Sequence, residues 1–482
     1  MLLMESAART ADQLNQNNLV KLIAFYFPQF HAIPENDVWW SKGFTDWVNV
    51  RRAKPQFRGH YQPRVPLDER YYDQSDKATI EWQIDLARRY GLSGFCHYHY
   101  WFDGKQLLET PTNIVMASKE LNFPFCLAWA NETWSRRWDG LDHHILQLQT
   151  HRPDPALWER HFEYLFRAWS DERAIKVDGK PIFLVYRPHR IQQIDRMFDL
   201  WRTLAHRRGL PGIYLAAIKQ FEFPVPAVLR HFDATVQFQP FEALFSPDFE
   251  GDVPVSKGDV PVSKSDVPVS KGDVPDRSWL VVPLRKLPPR VQHVLRAIRY
   301  RLLVTPLRAI RYRLLVPPLR AIRHRLLMTP LRRLPDRLQD VLRAIRYRFL
   351  PRLTFYDYEK VWSHILRVER EGGIPAFPGA FVDWDNTARY KNRARIFKGA
   401  SPERFAYWFK RLVEITAQRP APEHLIFMDA WNEWAEGAYL EPDARYGYRY
   451  LEAVRDGLAC AANVPVSASL PAASEREAIS SG

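Results

Sequence analysis

Eight short apolar runs recur along the chain, separated by longer stretches in which apolar residues return every three or four positions. The runs are Leu22–Phe27, Gly94–Tyr100, Phe125–Ala130, Ile182–Tyr186, Ile213–Ile218, Ala234–Phe238, Ala376–Val382 and Leu425–Ala430. Most are apolar on both faces, as strands are when both sides of a sheet are covered. The intervening stretches have the period of amphipathic helices. Ser75 or Asp76 can cap a helix through Ile80, Ile84 and Leu86, and Gly91 ends it before the second run. Asp178-Gly179-Lys180-Pro181 is a turn that opens the fourth run, and a helix over 356–370 precedes the Gly372-Gly373 break. Eight strand and helix alternations predict an α/β fold, a parallel (β/α)8 barrel of TIM type. An open doubly wound sheet is the competitor, but the chain has no Gly-x-Gly-x-x-Gly or Gly-x-x-x-x-Gly-Lys phosphate loop.

The alternation breaks once, after the sixth run. Asp252-Val-Pro-Val-Ser-Lys-Gly258 recurs from Asp259, Asp266 and Asp273, and Leu295-Arg-Ala-Ile-Arg-Tyr-Arg-Leu-Leu-Val-Thr-Pro306 recurs from Leu307 and Leu319. Units this short and this similar resemble recent tandem duplication rather than a solenoid. The first set carries a Pro in each unit and little apolar bulk, so an extended or disordered linker is expected. In the second set Leu295, Ile298, Leu302 and Leu303 share a helical face among arginines. Such turns suit an anionic membrane surface, although a solvated insert without a role is the plainer reading. The expected organisation is therefore a flexible N-terminus (1–19), a first barrel part (20–250), a basic and partly disordered insertion (251–352), a second barrel part (353–462) and a flexible tail (463–482).

Charge follows that division. The net charge is +14, yet residues 277–352 alone hold 20 Arg or Lys against 2 Asp. The basic character belongs to the insertion and not to the barrel. No nucleic-acid-binding motif accompanies the arginines, so no nucleic-acid partner is expected. Cys96, Cys126 and Cys460 are widely spaced and form neither a disulfide framework nor a metal-binding pair. The start Met1-Leu2-Leu3-Met4-Glu5 lacks a basic region followed by an apolar stretch and no run of 18 apolar residues is found, so neither a signal peptide nor a transmembrane helix is expected, and the expected location is the cytoplasm, peripheral to the inner membrane if the repeats bind it.

A barrel of this kind carries its chemistry just past the carboxyl ends of its strands. Polar and aromatic residues gather there in every run, including Tyr26 to His31, His97 to Trp101, Trp129 to Trp134, Asp383 to Asn386 and Asn432 to Glu436. Glu433 and Glu436 are the leading pair. Three residues apart, they face one pocket only if the strand ends near Trp431 and the chain turns. Two carboxyls that close, among tryptophans, repel and resist ionisation, so that one serves as an acid. The plainer reading is an acidic pair at a helix N-terminus. Asn131 and Glu132 can hold sugar hydroxyls, or Glu132 can join a surface ion pair with nearby arginines. Asp383, Asp385 and Asn386 can do the same or cap a helix. His97 and His99 share a strand face and, with His31 or His60, offer nitrogen ligands. The usual carboxylate–histidine spacing of a metal site is missing, so wall histidines are expected and no metal or other cofactor is expected.

Several of these stretches together resemble the WbsX-type proteins of bacterial surface-polysaccharide biosynthesis, related to glycoside hydrolase family 99. They are Tyr26-Phe27-Pro28-Gln29-Phe30-His31, Trp39-Trp40 with Gly43-Phe44-Thr45-Asp46-Trp47, Gly94 to Trp101, Trp129-Ala130-Asn131-Glu132-Thr133-Trp134 and Trp431-Asn432-Glu433-Trp434-Ala435-Glu436-Gly437. The resemblance covers about 20–250 and 353–460 and leaves out the insertion. It implies a β/α barrel and a carbohydrate-active enzyme that cleaves or transfers glycosidic bonds with retention. It implies that Glu433 assists the attack of a substrate 2-hydroxyl on the anomeric carbon and that Glu436 acts as acid and then base. Tyr26, His97, His99, Trp129, Asn131, Glu132, Asp383 and Asn432 are the expected substrate contacts, and a glycan or lipid-linked oligosaccharide is the expected partner. A sugar-nucleotide-dependent glycosyltransferase and a non-catalytic glycan-binding protein are the alternatives.

Overall fold

All eight apolar runs form strands, and these pair in parallel around one ring. They are β1 (Lys21–Tyr26), β2 (Gly94–Phe102), β3 (Phe125–Trp129), β4 (Lys180–Val185), β5 (Tyr214–Lys219), β6 (Ala234–Gln237), β7 in two pieces (Ala376–Phe377 and Gly379–Phe381) and β8 (Leu425–Asp429). The structure, a computed structural model, describes residues 19–220, 226–246, 249, 353–367, 373–420 and 422–461. Residues 1–18 of the expected flexible N-terminus (1–19), the expected tail (463–482) and the whole repeat-bearing insertion (251–352) lie outside the described residues.

Neighbours in sequence are neighbours in the ring, and β8 returns to β1 with Lys21 opposite Leu425 and Ala24 opposite Met428. Closure runs through a break in β7. Its first piece pairs with β6, Thr235 opposite Ala376, and its second with β8, Gly379 opposite Phe427. Between them stands Pro378, which has no N–H to give a neighbour, while its carbonyl still accepts from the Phe427 amide at 3.0 Å. Gly379 is fixed by close approach, because a Cβ there would lie 1.8 Å from the Gln237 carbonyl oxygen.

The local signals act as their chemistry requires. Asp76 caps the helix Lys77–Arg89 by accepting from the Ala78 amide at 3.0 Å. Asp178 and Gly179 both have positive φ, 50° and 75°, and join Lys176–Val177 to β4 as a two-residue hairpin. Among the described residues, no helix is long and apolar enough to cross a membrane.

Strand parity divides the aromatics into two sets. Phe25, Tyr98, Phe238 and Phe427 meet inside the ring, with Phe25 stacked on Tyr98 at 5.5 Å and edge-on to Phe238 at 5.2 Å. The alternate residues of the same strands turn outward, where Trp129, His99 and Trp101 pack with His161 and Trp201 of the surrounding helices. These rings fill part of the lumen.

Candidate active site

The run after β8 folds into a miniature hairpin. Asn432–Glu433 pairs antiparallel with Ala438–Tyr439 around one 3-10 turn, Trp434–Glu436. Gly437 ends the turn at φ 68°, and a Cβ there would meet the Asp385 amide nitrogen at 3.0 Å. That amide donates to the Glu436 carbonyl at 2.7 Å, tying the turn to the segment after β7. Beneath the turn, Glu441 is buried and accepts from Gln83 Nε2 and Trp434 Nε1, both at 2.6 Å, and from the Tyr72 hydroxyl at 2.7 Å. Burial raises Glu441 to about 7, against the pull of these three donors.

This turn brings Glu433 and Glu436 to the same guanidinium. Arg389 Nη1 lies 2.7 Å from Glu436 Oε1, and Nη2 donates to Glu433 Oε2 at 3.1 Å and to Asp46 Oδ2 at 2.6 Å. The cation itself sits between rings, 5.0 Å from the centroid of Phe27 and 5.1 Å from that of Trp138. Three carboxyls thus share one positive charge in a space lined by aromatics. Burial pushes Glu433 up to about 8, with Arg389 opposing and the Glu436 charge adding. Burial raises Glu436 too, with Arg389 again opposing and Arg395 pulling in the same direction from farther off. Glu436 is the more open of the two, its side chain 17% exposed against 9% for Glu433. A fourth carboxyl, Asp429, closes β8 inside the ring. Its Oδ2 has no hydrogen-bond partner among the described residues, and burial together with the charges of Glu433 and Glu436 raises it well above the usual carboxylate range.

These groups open onto a cavity of about 730 Å³ at the carboxyl end of the barrel. Its floor includes Tyr98, Tyr186, Phe238 and Asp429, and its walls include Phe27, Tyr100, Trp40, Trp134, Trp138 and Trp384. The volume and the aromatic walls suit a sugar-sized ligand whose rings stack on side chains. Part of the wall is a hairpin, Trp134–Arg136 with Leu141–Gln147. Trp138 beyond its first strand stacks on Trp40 at 5.2 Å, and Arg136 donates to the Trp39 carbonyl.

Of the expected substrate contacts, only Glu132 lines the cavity, where Arg187 Nε donates to it at 2.7 Å. The other seven lie outside the cavity lining. Tyr26 is fully buried on the outward face of β1, its hydroxyl donating to Gln83 at 2.6 Å. His97 and His99 point outward from β2, against Thr112 and His161 respectively, and burial pushes both imidazoles down to about 3, so that they are neutral. Trp129 is outward as well, with its indole donating to the Trp101 carbonyl at 3.1 Å. Asn131 braces the wall by donating to the Arg187 carbonyl and accepting from the Arg187 amide. Asn432 does the same for β1, bonding both the amide and the carbonyl of Phe27. Asp383 is held by Arg64 at 2.7 Å, and its neighbour Asp385 accepts from His60 at 2.6 Å. No three or more His, Cys, Asp or Glu side chains are placed to hold a metal among the described residues.

The groups that line the cavity instead are one residue away from the expected ones: Phe27 rather than Tyr26, and Tyr98 and Tyr100 rather than His97 and His99. Alternation along a strand makes this a difference of face. Arg389 and Asp46 were not singled out for chemistry. Asp46 stands in the run Gly43 to Trp47, and Arg389 three residues beyond Asn386, and nothing in their spacing joins them to Glu433.

Residues 22–266 and 319–454 match the protein family described as "Glycosyltransferase WbsX". Two relatives from strains of Xanthomonas campestris pv. campestris, each called "Uncharacterized protein WxcX", are 34% and 35% identical over 463 residues. The match takes in 94% of this chain and 51% of theirs, so the chain spans about half the length of the curated relatives it matches. Among solved structures, a glycoside hydrolase-like protein aligns with 91% of this chain and 94% of its own, with TM-score 0.46 and 10% identity. The GH99 endo-alpha-mannosidase from Bacteroides thetaiotaomicron aligns with 91% of this chain and 97% of its own, with TM-score 0.44 and 11% identity.

Proposed function

The chain belongs to the WbsX glycosyltransferase family, and from that membership we propose that it makes or breaks glycosidic bonds in the building of a bacterial surface polysaccharide. One observation carries the chemical part of this reading: Glu433 and Glu436 share Arg389 at the mouth of an aromatic-walled cavity. Glycosyl transfer needs a proton donor for the departing oxygen and a carboxylate that supports the developing positive charge at the anomeric carbon. A pair that resists losing both protons supplies one of each.

Glu433 is the deeper of the two carboxyls, and burial raises it to about 8. The role that the family resemblance gives Glu436, acid and then base, places it nearer solvent and the leaving group. Bond cleavage starts from the state in which Glu436 carries the proton and Glu433 is ionised. Glu433, now ionised, takes the proton of the sugar 2-hydroxyl as that oxygen attacks the anomeric carbon, and Glu436 protonates the departing oxygen. Glu436, ionised in turn, draws a proton from the incoming hydroxyl, and Glu433 returns its proton to the 2-oxygen. Arg389 holds both carboxyls at a fixed spacing throughout and moderates their charge. The incoming hydroxyl belongs to water in hydrolysis and to a second sugar in transfer.

The expected substrate is a glycan or a lipid-linked oligosaccharide, and the basic repeats of 277–352 are proposed to touch an anionic membrane. Liposome flotation of the full chain against one lacking 277–352 tests the last point, and equal partition of the two ends it. The catalytic reading is tested in cells by exchanging the native copy for one carrying both Glu433→Gln and Glu436→Gln. Loss of the mature polysaccharide at normal protein levels is expected, whereas an unchanged polysaccharide is what a non-catalytic glycan-binding role requires.

A further inference from the structure

Asp429 is a carboxyl that the chemistry of the glutamate pair leaves unused. It closes β8 opposite Phe381 of β7. Phe427, two residues earlier, meets Phe25 inside the ring, and strand alternation gives Asp429 the same inward face. There it lines the cavity together with Tyr98, Tyr186, Glu433 and Glu436. The residue is 1% exposed, and its Oδ2 has no hydrogen-bond partner among the described residues. The guanidinium whose charge bears on it, Arg389, is bonded to Asp46, Glu433 and Glu436.

Buried polar atoms are paired as a rule, because an unmade hydrogen bond keeps the whole cost of taking the group out of water. Packing does not call for a carboxyl here, since the inward neighbours Phe25 and Phe427 are apolar. A partner from outside the chain accounts for it. Burial, with the charges of Glu433 and Glu436 adding, holds the Asp429 carboxyl well above the usual carboxylate range, so it keeps its proton. A protonated carboxyl both gives and takes hydrogen bonds, as a sugar hydroxyl does. The negative charge of the glutamates disfavours an anionic oxygen at the same place. We propose that Asp429 is a substrate-binding residue whose carboxyl grips an uncharged hydroxyl of the sugar unit on which Glu433 and Glu436 act. This rests on the reading of the cavity as a glycan site and adds to it a contact that recognises the reacting sugar.

The test follows the tryptophan fluorescence of the full chain during titration with the host's lipid-linked glycan fraction, because Trp40, Trp134, Trp138 and Trp384 line the cavity. Asp429→Asn keeps the shape and the capacity to give and take hydrogen bonds, whereas Asp429→Leu keeps only the bulk. Asp429→Asn is expected to bind within about threefold of the wild type, and Asp429→Leu about tenfold more weakly, as the loss of one hydrogen bond predicts. The melting temperature of ligand-free Asp429→Leu is expected to equal or exceed that of the wild type, since the substitution strands no partner. Should Asp429→Leu not fold, Asp429→Ala, which only enlarges a space already open, carries the same expectation for affinity. Wild-type affinity in the variant that lacks the hydrogen bond assigns Asp429 to the scaffold and overturns the inference. An Asp429→Asn protein that loses as much as Asp429→Leu overturns it too, because the charge would then be what counts. A glycan fraction that does not bind the wild type removes the glycan reading of the cavity, and the inference with it. Turnover that persists in Glu436→Gln removes the paired-glutamate mechanism and leaves the Asp429 contact standing.

Discussion

At the scale of single residues, the site is set by how many carboxyls share one guanidinium. Replacing Glu436 or Glu433 by Gln keeps shape and removes one proton carrier, so each variant is expected to lose on the order of 10²–10⁴-fold in turnover with little change in melting temperature at neutral pH. The pH profile of the wild type follows from the same group. Glu433 is raised to about 8, so turnover is expected to decline on the alkaline side as the pair loses its shared proton. Stability has a matching sign. Glu433 at about 8 and Glu441 at about 7 both bind protons more tightly than an ordinary glutamate at 4.5. Their contribution is therefore full below about 4.5 and is lost as pH rises through about 7 and then about 8. Melting temperatures recorded across that window are expected to fall, and Glu433→Gln is expected to flatten the upper part of the fall. The carboxyl pair was legible in the sequence, because two glutamates three residues apart among tryptophans follow an apolar run. Arg389 was not, because nothing local distinguishes it from the many arginines of this chain.

At the scale of elements, the turn that carries Glu433 and Glu436 stands on a buried polar base. Glu441 satisfies three donors that have no water to turn to, and Glu441→Ala leaves Tyr72, Gln83 and Trp434 without that acceptor. A loss of about 3 kcal/mol is expected on denaturation, and a smaller one for Glu441→Gln, which keeps an acceptor. Gly437→Ala places a side chain at φ 68° and 3.0 Å from the Asp385 amide. A cost of about 1–2 kcal/mol and a fall in turnover are expected together, because the same amide holds the Glu436 carbonyl. Strand existence was legible at this scale and strand face was not. Runs such as Gly94–Tyr100 are buried at every position, so their pattern announces a strand without saying which alternate set looks into the lumen. Tyr26, His97, His99 and Trp129 were accordingly assigned to the cavity when they belong to the outer layer. The break at Pro378 was hidden in the same way, inside a run that reads as continuous.

At the scale of the whole molecule, a ring of eight strands is completed by a seventh strand that changes partners at a proline. Gly379→Ala is expected to abolish the soluble, cooperatively melting protein, because a Cβ at 1.8 Å from the Gln237 carbonyl forbids the approach that closes the ring. Barrels of parallel strands carry their chemistry past the carboxyl ends, and the cavity lies there. The measurement that bears most directly on the account is mass spectrometry of the host's lipid-linked and polymeric glycans after incubation with purified protein, wild type beside Glu436→Gln. A mass change in units of whole sugars with the wild type, and none with Glu436→Gln, is the expected result. The same change with both proteins would contradict the account.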